Sequence, residues 1–160
     1  MPELTEALGE LLATLLTEEQ TLGDLLALAV EEQDALVRSD FGAVDALSAR
    51  MAKVAAQLES LELRREQLME SVGQSGGSFE ELARLADNHG VDGFDAARSR
   101  LGQTARELRE AQECNANLIL SAMRVRDRWM TLLAGLTSST YGAEGRQELK
   151  RGRGIVSRSA

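Results

Sequence analysis

The chain has 160 residues, and its 26 acidic and 18 basic side chains give a formal net charge of −8 with the single histidine neutral, a balance that repels phosphate backbones. Because only five residues are aromatic, the core must be built from aliphatic side chains, which favours helices over sheets. One cysteine and one histidine exclude a disulfide framework and argue against a zinc or di-iron site, so we expect no metal and no cofactor.

The first predicted helix covers residues 3–38. Apolar residues, mostly leucine, recur there at alternating steps of three and four, the pattern of a helix with a buried stripe, and Glu18 and Glu32 interrupt it. We interpret the acidic pairs that contain these two residues as a solvated face, because adjacent carboxylates on a helix point about 100° apart. Gly9 and Gly23 lie two heptads apart, and we expect the backbone of a neighbouring helix to approach closely there.

The second predicted helix covers residues 40–72 and follows a capping residue at Ser39 or Asp40. Nine consecutive positions keep the spacing of three and four, and Arg65 is the one charged exception. An arginine can lay its aliphatic stem along an apolar seam while its guanidinium stays in water. We therefore expect Arg65 to leave the stripe intact.

A short third helix is predicted over residues 78–88, after a glycine-rich loop. Its start carries a capping-box sequence, in which the Ser78 hydroxyl and the Glu81 carboxylate each accept a hydrogen bond from the backbone amide of the other residue. Its end carries His89 beside a glycine, and we interpret this histidine as part of a helix stop rather than as a catalytic base.

The last predicted helix, over residues 92–136, keeps its apolar register through thirteen successive positions. At about 1.5 Å per residue it would be roughly 67 Å long. The predicted fold is therefore all-α, an elongated antiparallel up-down-up helical bundle of coiled-coil type with a short extra helix, in one domain over residues 1–136. Asn115 occupies a seam position, and we interpret it as a buried amide that fixes the register of the bundle; the alternative is a role in a partner-binding groove.

Charge is distributed unevenly along the chain. Residues 1–37 carry nine acidic side chains and no basic one, whereas residues 146–160 carry five basic side chains and one acidic one. We predict that residues 137–160 form a flexible basic tail, which either contacts the acidic first helix or has no special role. Five scattered cations without stacking aromatic residues are a weak signal for nucleic-acid binding, so we expect no nucleic-acid partner.

No motif in the sequence indicates catalysis or a membrane anchor. A serine or cysteine nucleophile needs a base, the only histidine has a structural interpretation, and no phosphate-binding loop stands between a strand and a helix. No run of about 18 apolar residues could span a membrane, and no signal segment opens the chain. We therefore expect a soluble, cytoplasmic protein that is not an enzyme.

Three short motifs near the end of the chain point to a family. They are residues 114–120 (CNANLIL), 129–133 (WMTLL) and 140–145 (TYGAEG). Together with an all-helical chain of this length, they resemble the FlgN family of flagellar export chaperones. Members of that family carry Asn-x-x-Asn before apolar residues in the last long helix, then Thr-Tyr and a glycine. Asn117 and Tyr141 match this pattern, as do Leu118 and Ile119, and Cys114 stands where the first asparagine is expected.

The resemblance implies a cytoplasmic chaperone that uses no ATP, binds hook-associated proteins of the hook–filament junction before export, and delivers them to the flagellar type III secretion apparatus. An apolar groove would hold an amphipathic C-terminal helix of these clients, and Tyr141 would contact the export-gate protein. The candidate partner-binding residues are Asn117, Leu118, Trp129, Leu133, Leu136 and Tyr141. The alternative is a structural coiled-coil adaptor that self-associates through the same seams, and the sequence leaves open whether the free protein is a monomer or a homodimer.

Overall fold

The computed structural model describes the backbone of residues 2–156 and the side chains of residues 2–137. This part of the chain contains four α-helices and no strand, and the predicted all-α fold is confirmed. The helices are α1 (Pro2–Val37), α2 (Phe41–Ser71), α3 (Phe79–Asn88) and α4 (Phe94–Val156). The first three helices begin and end within one residue of their predicted bounds.

Side-chain caps set the starts of α2 and α3, as the sequence predicts. The Asp40 carboxylate accepts a hydrogen bond from the Ala43 amide at 3.1 Å, so Asp40 rather than Ser39 caps α2. At the start of α3, the Ser78 hydroxyl accepts from the Glu81 amide and the Glu81 carboxylate accepts from the Ser78 amide. This arrangement confirms the predicted capping box.

Helix α4 is longer than the sequence predicts, because it continues past residue 136 to Val156. The segment predicted as a flexible tail is therefore helical as far as Val156, and residues 157–160 lie outside the described residues. The physical reason is that Pro2 is the only proline of the chain, so no residue forces α4 to end near its Thr-Ser run. An isolated glycine weakens a helix by only about 1 kcal/mol.

The chain divides into two compact units, Met1–Leu118 and Ile119–Ala160. This boundary lies inside α4, before the boundary at residue 136 that the sequence predicts. The first unit contains α1, α2, α3 and the first part of α4, and it holds the buried core.

In the first unit, the two long helices α1 and α2 run antiparallel. Arg64 of α2 pairs with Glu10 near the start of α1, and Arg50 pairs with Glu31 near the end of α1. A short turn between Val37 and Phe41 requires this direction, because it leaves no chain to carry α2 back to the start of α1.

Helix α4 runs parallel to α1 within the first unit. Arg100 of α4 pairs with Glu19, and Asn115 lies against Glu32 further along both helices. The predicted up-down-up order of the three long helices is therefore present, with α3 inserted before the last of them.

Three clusters of buried aliphatic side chains fill the first unit. The largest joins all four helices, and in it α3 packs its buried face onto the first turns of α1. The buried members of this cluster are Leu8, Leu11, Leu15, Leu68, Val72, Leu82, Ala83, Ala86, Phe94 and Ala97. Helix α3 thus packs at one end of the bundle of the first unit.

The expected close approach at Gly9 and Gly23 is absent. A β-carbon built on either glycine meets no atom of a neighbouring element within 4 Å. Gly9 is exposed and Gly23 is half-buried, so both lie beside the buried stripe of α1 rather than in it. Nothing in the structure requires glycine at these two positions.

Candidate partner-binding surface

Glu18, the first interruption of the α1 seam, is buried rather than solvated. Arg65 of α2 donates a hydrogen bond from Nε to Glu18 Oε1 at 3.0 Å. Burial raises the pKa of Glu18 above its usual 4.5, while the hydrogen bond and the positive charge of Arg65 oppose this rise. The prediction of a solvated acidic face is wrong for Glu18, because this carboxylate occupies a seam position and finds its counter-charge on the neighbouring helix.

Glu32, the second interruption, is also buried, and polar groups from two other helices hold it. Asn115 Nδ2 donates to Glu32 Oε1 at 3.0 Å and to the Ala29 carbonyl oxygen at 2.8 Å. The Ser48 hydroxyl donates to Glu32 Oε2 at 3.3 Å. This polar layer joins α1, α2 and α4. The prediction that Glu32 lies on a solvated acidic face is therefore also wrong. That Asn115 fixes the register stays a prediction.

His89 and Cys114 both take part in contacts between or within helices. His89 is the C-terminal cap of α3, and its Nδ1 lies 2.8 Å from the Leu85 carbonyl oxygen. Cys114 is half-buried and accepts a hydrogen bond from Gln33 Nε2 at 3.3 Å. Among the described residues, no cluster of three or more His, Cys, Asp or Glu side chains has the arrangement of a metal site.

A cleft of about 460 Å3 opens in the first unit beside the Glu18–Arg65 pair. Leucines from α1, α2, α3 and α4 contribute to its wall, among them Leu15, Leu58 and Leu82. Sequence analysis missed this cleft, because it depends on how α3 meets the long helices. Its apolar wall can accept an aliphatic side chain, and two of its charged residues, Glu18 and Arg65, are paired with each other.

The register of the first unit decides where α1 stops covering α4. Asn115 lies opposite Glu32, and α1 ends at Val37, five residues beyond Glu32. Counting five residues beyond Asn115 reaches Leu120. Because the two helices run parallel with the same rise per residue, the last residues of α1 match the end of the first-unit part of α4.

In the second unit, every described side chain from residue 119 to residue 137 is exposed. We call residues 119–137 the exposed segment. Its large apolar side chains are 39–62 % exposed. They are Ile119, Leu120, Met123, Val125, Trp129, Met130, Leu132, Leu133 and Leu136. Monomeric proteins rarely expose so many contiguous apolar side chains unless the surface binds a partner.

The six predicted partner-binding residues have different environments. In the first unit, Asn117 is exposed and Leu118 is half-buried. In the second unit, Trp129, Leu133 and Leu136 are exposed and follow one another by four and three residues, so they share a helix face. Tyr141 belongs to α4, but its side chain lies outside the described residues.

Sequence analysis missed part of this surface. It did not name Met123, Val125, Met130 or Leu132 among the candidate partner-binding residues, yet all four are exposed. The signal was present in the sequence, because the apolar pattern of the last helix continues through this segment.

The described residues form an all-α protein whose long last helix exposes a run of apolar side chains. A sequence model of one family, described as FlgN protein, matches residues 1–148. The chain therefore belongs to the FlgN family, which is the flagellar export chaperone family.

Two further comparisons gave no match. Neither the curated proteins nor the solved structures include one that matches this chain. Within the described residues, no helix is both long and apolar enough to cross a membrane. The family and the exposed segment are thus the two observations on which a functional proposal rests.

Proposed function

We propose that this protein is a cytoplasmic chaperone for hook-associated proteins of the flagellar hook–filament junction, and that it delivers them to the type III secretion apparatus. Membership of the flagellar export chaperone family supports the general role. The exposed apolar side chains of α4 support a binding mode in which a client helix packs along the exposed segment.

The exposed segment continues the coiled-coil register of the first unit. Counting in steps of three and four from Asn115 gives the positions that would face a partner helix, and we call these positions the exposed seam. Within the exposed segment they are Ala122, Val125, Trp129, Leu132 and Leu136. In a coiled coil each such side chain inserts between four residues of the facing helix. The exposed seam therefore has the apolar pattern of one helix of a coiled coil.

An amphipathic client helix would supply the other half. It would present apolar anchors at positions i, i+3, i+4 and i+7, the spacing of helix recognition in general. Burial of apolar surface contributes about 25 cal/mol per Å2, and part of this gain offsets the ordering of a client segment that is disordered before export. The balance suits a chaperone, which must bind tightly and still release its client.

Two parts of the proposal come from the family resemblance. Tyr141 is proposed to contact the export-gate protein, and Asn117 with Leu118 is proposed to lie at the edge of the client site. The exposure of Asn117 is compatible with this role. Replacing Tyr141 with alanine should reduce delivery to the gate while leaving client binding unchanged.

Calorimetry with C-terminal peptides of hook-associated proteins tests the client proposal. We expect binding to the full-length chaperone, and we expect Trp129→Ser and Leu133→Ser each to weaken it about tenfold or more, since buried aromatic and aliphatic anchors dominate such interfaces. Leu63→Ser is the matched control, because Leu63 is equally exposed but lies on α2. Absence of binding at tens of micromolar (about 10 to 100 µM) with an intact helical fold would refute the proposal.

The structural adaptor is the second candidate, because the same exposed seam could pair with a second copy of the chain. Sedimentation velocity separates the two functions. A chaperone should be largely free of self-association, or should exchange its second copy for a client. An obligate oligomer that clients do not dissociate would favour the adaptor.

A further inference from the structure

The two compact units carry charge of opposite sign. Met1–Leu118 contains 23 acidic and ten basic side chains, whereas Ile119–Ala160 contains three acidic and eight basic ones. The net charge of the second unit is thus +5 in a chain whose total is −8. A partner that packs on the second unit meets a cationic helix, although the protein as a whole is acidic.

Two of these cations flank the exposed seam. Arg126 follows Val125 and Arg128 precedes Trp129, so they occupy the two positions that border the apolar stripe of a coiled coil on either side. Charges at these positions decide which partner a coiled-coil helix accepts. In the exposed segment no acidic residue borders the seam, because Asp127 lies on the opposite side of the helix.

Both flanking arginines are available for a partner. Arg126 Nη2 lies 3.6 Å from Asp127 Oδ1, and both side chains are about two-thirds exposed, so water screens this pair strongly. Arg128 forms no ion pair with any described residue. A carboxylate on a facing helix can therefore engage either guanidinium without breaking a strong existing contact.

We propose that the helix that packs on the exposed seam is acidic, with Asp or Glu at the positions that border its own apolar stripe and pair with Arg126 and Arg128. This inference rests on the proposed client function and specifies the chemistry of the client helix. Opposite charge would speed association and select against basic helices of the same apolar pattern.

The same observations weigh against two other occupants. A second copy of the chain would bring the cations of one exposed segment close to those of another. A helix that lies on an anionic membrane carries its cations on the polar face. Arg126 instead occupies the same helix position, beside the seam, as the apolar residues Ile119 and Leu133, which disfavours membrane binding. A carboxylate on a partner helix gives Arg126 a counter-charge at that position.

Two synthetic helical peptides test the inference with the full-length protein. Both carry the same leucine stripe; one has Glu at all bordering positions and the other has Lys. We expect the Glu peptide to bind at least about tenfold more tightly at low salt, and we expect the difference to shrink between about 50 and about 500 mM NaCl as the charges are screened. Equal affinities at low salt would overturn the inference.

Charge reversal of the flanking arginines provides the second arm. Arg126→Glu combined with Arg128→Glu should reverse the preference between the two peptides. Arg106→Glu combined with Arg124→Glu is the matched control, because it makes the same change in net charge on the same helix away from the seam. If the control variant reverses the preference between the Glu and Lys peptides as strongly as the Arg126 and Arg128 variant does, overall charge explains the effect and the proposal is overturned.

The same experiment distinguishes the other partners that could bind the exposed seam. Vesicles of phosphatidylglycerol that bind the protein and displace the Glu peptide would identify a membrane surface instead. A stable dimer that the Glu peptide does not dissociate would identify a second copy. If hook-associated proteins bind with no dependence on salt or on Arg126 and Arg128, the client function stands and only this inference fails.

Discussion

Arg65 Nε donates a hydrogen bond of 3.0 Å to Glu18 Oε1, and this contact joins the charged residue that interrupts the α2 seam to one that interrupts the α1 seam. The Glu18 side chain is 4 % exposed, whereas that of Arg65 is 37 % exposed. The carboxylate thus depends on the arginine for its counter-charge, while the arginine keeps access to water. This asymmetry determines how the bundle responds to substitution and to pH.

Arg65→Met should destabilise the protein by about 1–3 kcal/mol, because it leaves a buried carboxylate without its strongest hydrogen-bond donor. Urea unfolding followed by circular dichroism measures the change. Arg64→Met is the matched control, since Arg64 pairs with the half-exposed Glu10 and exposed pairs contribute only about 0–1 kcal/mol. Equal losses for the two variants would contradict the prediction.

Stability should depend on pH through Glu18. Its pKa is raised in the folded protein, so its contribution to the free energy of unfolding is full below 4.5 and is lost as pH rises through the raised value. The stability of the wild type relative to Glu18→Gln should therefore fall as the pH rises from 4.5 towards neutrality. A difference that stays constant or grows over that interval would show that burial does not dominate the pKa of Glu18.

Asn115 and Glu32 should be strongly coupled. Asn115→Leu should cost about 1–3 kcal/mol, because Glu32 would keep only the hydrogen bond from Ser48 in an apolar seam. Adding Glu32→Leu should restore much of that loss, since an apolar pair can replace a buried polar one. A double-mutant cycle by urea unfolding measures the coupling, and additive losses would be evidence against it.

Gly9→Ala and Gly23→Ala should each stabilise the protein by about 0.5–1 kcal/mol, because alanine loses less backbone entropy in a helix and its methyl group meets no neighbour here. Thermal unfolding provides the measurement. The control is Gly90→Ala, which should be destabilising because Gly90 has a φ of +71°. A loss of stability at Gly9 or Gly23 would mean that the site is crowded after all.

Trp129 should report client binding directly. It is the only tryptophan of the chain and is 62 % exposed, so its fluorescence in the free protein should be that of an indole in water. Packing of a client helix on the exposed seam should shift the emission to shorter wavelength, because the ring leaves water for an apolar contact. No shift at a saturating concentration of a bound client would place that client away from Trp129.

Much of the fold follows from local rules in the sequence. The capping residues Asp40 and Ser78 act as predicted, because a cap depends on residues within one turn of itself. The end of α4 could not be predicted from local rules, because a run of small polar residues without proline is compatible with a helix as well as with a flexible tail. The prediction of a close helix–helix approach at Gly9 and Gly23 was wrong, because the spacing of two glycines does not show which side of a helix faces a neighbour.

The candidate site was predictable only in part. The family motif and the apolar register led to Trp129, Leu133 and Leu136, and all three lie on the exposed segment. The polar exceptions in the seams were misread, because single-helix periodicity cannot show that Glu18 faces Arg65 across a bundle. Whether the predicted residues bind a client stays a prediction.

The sequence by itself determined the helices, because their apolar spacing and caps are properties of neighbouring residues along one chain. Only the tertiary structure decided which seams are satisfied and which are left exposed. The register that sets Asn115 against Glu32 also sets the point where α1 ends beside α4. Residues 119–137 keep the same apolar pattern that builds the core and yet are exposed, because burial requires a facing helix and the spacing along one helix does not supply it.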